Sequence, residues 1–136
     1  MRIIPLLIAG TVLASCTNAP PPPYMARSPS GEMAYQKLLA GKVPGPPISC
    51  LPHYDANDMK VIDGQTVAFS VGRRTTYIMH LSTGCEPLGS GTYALLSKQF
   101  GSTGMCRGDI ESVVDTMNRI TVGSCTIEDI TPFTTR

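Results

Sequence analysis

Along the chain the apolar positions change their spacing from one region to the next, and each spacing predicts a different kind of segment. An uncharged apolar run extends from Ile3 to Leu13 and is followed, at Pro20 to Pro23, by four consecutive prolines. Residues 31–40, GEMAYQKLLA, then set Met33, Tyr35, Leu38 and Leu39 at an imperfect helical period. Ser28 or Ser30 can cap this helix, Glu32 sits in its first turn, and Gly41 is its expected stop. Pro44, Pro46 and Pro47 prevent its continuation. From there the period becomes two. Val67, Phe69 and Val71 alternate with Thr66, Ala68 and Ser70, and Tyr77, Met79 and Leu81 alternate with Thr76, Ile78 and His80. Gly72-Arg73-Arg74 between them suits a hairpin turn. Further strands are predicted near 59–62, 92–98, 110–114, 119–122 and 125–130, separated by glycine-bearing turns. Short strands at this spacing predict a mainly β domain, a small antiparallel barrel or sandwich with one short N-terminal helix.

The first segment reads as a leader. Arg2, the short apolar core and the small residues Ala14 and Ser15 are the parts of a secretory signal, too short for a permanent membrane span. Leu13-Ala14-Ser15-Cys16 resembles the lipobox of bacterial lipoproteins. The resemblance implies cleavage before Cys16, a diacylglycerol on its thiol and usually a third acyl chain on its amine. Each buried methylene contributes about 0.8 kcal/mol, and one chain alone binds marginally, so two or three chains on one cysteine hold a small domain on a bilayer. Thr17 follows the cysteine. By resemblance to enterobacterial sorting, where aspartate there retains lipoproteins at the inner membrane, Thr17 favours the outer membrane, facing the periplasm.

The prolines make the next stretch an extended spacer, because they lack a backbone donor and fix their own φ. Its residues from Thr17 to Ser30 would reach roughly 40 Å in polyproline geometry. The expected organisation is therefore a signal peptide at 1–15, a lipidated cysteine and tether at 16–30, and one β-rich domain at 31–136. Removing the leader takes Arg2 from the eleven basic residues and leaves ten against ten acidic ones. This balance argues against nucleic acid as a partner, since such binding needs concentrated positive charge. The expected partners are the membrane, through Cys16, and an envelope protein.

Four cysteines remain beyond Cys16: Cys50, Cys85, Cys106 and Cys125. In an exported chain an even count without C-x-x-C spacing reads as two disulfides rather than a metal site. Three pairings are open. The nested one, Cys85 with Cys106 inside Cys50 with Cys125, is favoured because it would staple one hairpin and join the ends of the domain.

Ile48-Ser49-Cys50, the Tyr77 strand leading to Cys85-Glu86-Pro87-Leu88, Cys106-Arg107-Gly108-Asp109, and Gly123-Ser124-Cys125 with Pro132-Phe133 together resemble a family of small uncharacterised bacterial lipoproteins. The resemblance implies a disulfide-bearing extracytoplasmic domain and brings no reaction with it.

Other chemistry-bearing residues have plain structural readings. Arg107-Gly108-Asp109 spells an integrin-type tripeptide but also an ordinary turn. His53 lies near Asp55 and Asp58, a general acid/base or metal combination that reads better as a solvated loop, and His80 falls on a strand. Ser102 lacks a nucleophile elbow, and Gly89-Ser90-Gly91 lacks a phosphate-cradling helix. The sequence thus predicts no catalytic constellation, no cofactor and no metal. It points to a non-enzymatic, lipid-anchored binding or structural module. The alternatives are an inhibitor of a wall-degrading enzyme such as lysozyme, whose polar loop Ser90-Gly91-Thr92-Tyr93 with Lys98 loosely resembles, and a small envelope enzyme using His53.

Overall fold

One long strand organises the sheet. The structure is a computed structural model, and it describes residues 27–52, 56–98 and 104–136. Its elements are helix α1 (Pro29–Leu39) and strands β1 (Lys42–Pro44), β2 (Met59–Asp63), β3 (Thr66–Val71), β4 (Thr75–Leu81), β5 (Tyr93–Ser97), β6 (Ile110–Asp115) and β7 (Thr121–Thr135). Short 3-10 turns occupy Ala56–Asp58 and Glu86–Ser90. All strand pairs are antiparallel, in the order β2-β3-β4-β7-β6-β5, with β1 also on β7. The result is mainly β, as expected, and takes the form of a curled antiparallel half-barrel.

β7 is long enough to serve both halves of the sheet. Its first part pairs with β6, and its later part pairs with β4. Between them the register shifts, because Leu81 faces Ile127 whereas His80 faces Asp129. Glu128 is the extra residue of this bulge. An added residue reverses the alternation of faces, so Cys125, Ile127 and Ile130 all enter the same core. Sequence alternation predicted two strands here, at 119–122 and 125–130. They are one strand, continuous through the bulge and on to Thr135.

Two apolar layers result. On the concave side Val67, Phe69, Met79, Leu81, Val113, Ile127 and Ile130 pack with Leu51, Leu88 and Met105. Leu88 arrives on the Glu86–Ser90 turn, which packs against both β2 and β5, the two ends of the sheet. On the opposite face Ile62, Ala68 and Ile78 are covered by Ala34, Tyr35, Leu38 and Leu39 of α1 and by Phe133. Fully burying one such large side chain contributes about 1.5–3 kcal/mol. The helix therefore uses the predicted stripe except Met33, which is exposed.

The helix starts at Pro29, two residues before the predicted Gly31. Proline suits the first turn because its missing N–H has no intrahelical partner there. The Ser28 hydroxyl accepts from the Gly31 N–H at 3.1 Å and caps the end. β1 was not anticipated, and its Pro44 was read only as a stop to the helix. It is an edge segment of three residues, where the lost donor is tolerated.

Both disulfides form, but not in the nested pairing. The bonds are Cys50–Cys106 and Cys85–Cys125. Strand order is the reason. β4 lies beside β7, so the chain leaving β4 carries Cys85 to Cys125, guided by Ser82 N–H donating to the Thr126 carbonyl at 2.9 Å. The segments around Cys50 and Cys106 run antiparallel, with Leu51 N–H donating to Met105 O and Arg107 N–H to Ser49 O, each at 2.8 Å. Cys85 and Cys106 cannot close one hairpin, because β5, which follows Cys85, pairs with β6.

Candidate functional site

Three segments converge to form an open cleft of about 330 Å³. Arg27, Ser28 and Ser30 come from the start of α1, residues 62–65 from the β2–β3 turn, and Glu86 and Gly89 from the second 3-10 turn. Gly64 is what brings the two turns together: a Cβ there would lie 2.6 Å from the Glu86 Cα, closer than side chains tolerate. Asp63 shapes the β2–β3 turn by accepting the Gln65 N–H at 2.8 Å.

Charge in the cleft is largely balanced internally. Arg27 Nε faces Asp63 Oδ2 at 3.3 Å, an ion pair rather than a well-aligned hydrogen bond, and Arg27 Nη1 lies 3.3 Å from Glu32 Oε2. Its guanidinium also stacks 3.9 Å above the Tyr35 ring. The Gln36 amide, and after it Arg27, hold the Glu32 carboxyl below its usual range. Both oxygens of Glu86 accept the Gly84 N–H at 2.9 Å. The rest of the lining is polar too, with the Ser28 and Ser30 hydroxyls 3.1 Å apart at the first turn of the helix and Gln65 on the β2–β3 side. That arrangement can receive a polar group by hydrogen bonding.

The residues singled out from sequence are scattered. Cys16, His53, Asp55 and Ser102 lie outside the described residues, and Asp58 is an exposed residue of the first 3-10 turn. Arg107-Gly108-Asp109 is a turn: Gly108 has φ 88°, the Asp109 carboxylate accepts the Cys106 N–H at 2.8 Å, and Arg107 Nε donates to the Glu128 carbonyl at 2.9 Å. Ser90 donates to the Pro87 carbonyl, and Gly91 ends the 3-10 turn in the left-handed region. His80 does have a carboxylate partner, Asp129, directly opposite on β7 with Nδ1 and Oδ1 3.0 Å apart. Among the described residues no group of three His, Cys, Asp or Glu side chains could hold a metal ion.

Two features were missed. The cleft had only weak signals, the Asp63-Gly64 turn pair and the Ser28 cap, because its walls are separated in sequence. Glu111 is the second. It is fully buried on β6, its Oε1 accepts from the Ser97 hydroxyl at 3.0 Å, and its Oε2 has no partner among the described residues. Burial first, and the Asp109 charge with it, raise its carboxyl above the usual range despite the Ser97 hydrogen bond. A glutamate in an alternating strand normally reads as a solvent-facing position, so nothing in the pattern marked it.

The whole chain, residues 1–136, matches the model of a family of unknown function, DUF6491, and the chain belongs to that family. No curated protein and no solved structure matches it.

Proposed function

We propose that this member of DUF6491 is a lipid-anchored cell-envelope protein, a non-enzymatic binding module held at the outer membrane on acylated Cys16 and facing the periplasm. The observation that carries this reading is the allocation of cysteines. Four of the five are joined in two disulfides within the folded part, which leaves Cys16, the one in a lipobox context. Structural disulfides belong to oxidising compartments outside the cytoplasm. A thiol that takes no part in them, placed directly after an apolar leader, fits acylation. The cleft beside α1 supports the binding role, since its recess is lined by polar side chains from three segments.

Metabolic labelling tests the anchor. Wild-type protein should incorporate palmitate and sediment with membranes, whereas Cys16→Ala should lose both properties. Palmitate incorporation by Cys16→Ala would overturn the reading. Inhibition of a wall-degrading enzyme is less favoured, because the Ser90 hydroxyl is engaged by its own turn. Lysozyme should therefore clear a cell-wall suspension at the same rate with and without the purified protein.

A further inference from the structure

Ser97 and Glu111 face each other across the β5–β6 pair, at the C-terminal end of β5. We propose that this contact is an acid-dependent latch: with Glu111 protonated the β5–β6 ribbon closes on the core, and ionisation of Glu111 at higher pH loosens it.

The geometry favours a neutral acid. Glu111 has no exposed surface, one hydrogen-bond partner and an orphaned second oxygen. A buried carboxylate needs a cation or several donors, whereas a carboxylic acid can donate to the Ser97 hydroxyl and leave only a weak carbonyl acceptor unpaired. The surroundings supply no cation among the described residues. Asp109, in the turn just before its strand, repels a charge, and Asp115 at the strand's far end is engaged by the turn that follows. From β5, Tyr93 lies on the same side four positions before Ser97, while Lys98 is exposed. From β7 the register partner is Cys125, which is tied in a disulfide and does not titrate. Arg107 is exposed and bonded to the Glu128 carbonyl, and Glu86 is held by the Gly84 N–H. Residues 99–103, Gln-Phe-Gly-Ser-Thr, contain no ionisable side chain.

The direction of the effect follows. Between the ordinary glutamate value of 4.5 and its higher value in the fold, Glu111 binds a proton more readily in the folded state. Stability is then full at and below 4.5, falls as pH rises through that interval, and stays lowered above it. β5 is the end strand of the sheet, joined along its length to β6 alone, so it is the element such a charge would release.

The test is carbon-13 NMR of the Glu111 side-chain carboxyl in the full chain with both disulfides intact, alongside hydrogen exchange at β5 and β6 amides. We expect the Glu111 resonance to titrate above 4.5, and exchange in β5, corrected for intrinsic base catalysis, to accelerate across the same interval. Glu111→Gln, which keeps the shape without the charge, should abolish that acceleration. A carboxyl titrating at or below 4.5 would overturn the latch, as would the same pH-dependent exchange in Glu111→Gln. Should the glutamine variant fail to fold, the wild-type titration alone decides.

Discussion

Arg27 and Asp63 pair at 3.3 Å, joining the residue just before the α1 cap to the last residue of β2. Because Arg27 also stacks on Tyr35 and reaches Glu32, one side chain fixes the start of the helix against the sheet. Arg27→Ala removes all three contacts and leaves Asp63 Oδ2 buried without a partner. We expect a loss of about 1–2 kcal/mol, read as a lower midpoint in chemical unfolding. Arg27→Lys should lie between, keeping the charge without the planar stack. An unchanged midpoint in Arg27→Ala would show that this contact does not hold the helix.

Gly84 should be intolerant of any side chain. Its φ is 110°, and a Cβ there would collide with the Ser124 carbonyl on β7. Gly84→Ala must therefore move the Cys85 loop away from β7, at an expected loss above ~2 kcal/mol. A variant with wild-type thermal stability would contradict the close approach.

The two bridges should differ in accessibility. Cys85 and Cys125 are buried in the core, while Cys50 and Cys106 are only half-buried. Under native conditions a mild reductant should open Cys50–Cys106 first, and Cys85–Cys125 should yield only on unfolding. Differential alkylation followed by peptide mapping reads the order. Replacing either pair by alanine is expected to lower stability by about 2–4 kcal/mol, since both bridges close long loops, with sequence separations of 56 and 40 residues. Simultaneous reduction of both bridges in the native state would contradict the burial difference.

Much of this fold could be read from periodicity, and the exceptions have physical causes. The β3–β4 hairpin follows directly from its alternation and the Gly72 turn, and the observed register Val67 with Met79 and Phe69 with Tyr77 places the predicted apolar set on one face. β7 was divided in the prediction because Gly123-Ser124 reads as a turn, whereas Gly123 lies within the strand, at a point where a Cβ would meet the Gly84 carbonyl. Disulfide pairing was beyond local reading, since it depends on β7 lying between β4 and β6. The cleft and Glu111 were hidden for the same reason. Their chemistry depends on segments distant in sequence and on burial, neither of which alternation reports.

At the β6–β7 turn, Asp115 Oδ1 accepts the Met117 N–H at 2.8 Å and the Asn118 N–H at 3.0 Å. The hydrogen bonds from Asn118, and then that from Met117, hold its carboxyl below the ordinary 3.8. The turn should therefore be intact above 3.8 and loosen as pH falls through the lowered value in the fold, opposite in sign to Glu111. Amide chemical shifts of Met117 and Asn118 should follow that acid transition. Asp115→Asn should remove it, and persistence of the transition in that variant would assign it elsewhere.

The most direct test of the account is the intact mass of the protein extracted from membranes, alkylated without reduction and again after reduction. We predict an N-terminus at Cys16 carrying diacylglycerol with or without a further acyl chain, no alkylated cysteine before reduction, and four afterwards. A chain that retains residues 1–15, or one with an unacylated Cys16 or with alkylated thiols before reduction, would contradict it.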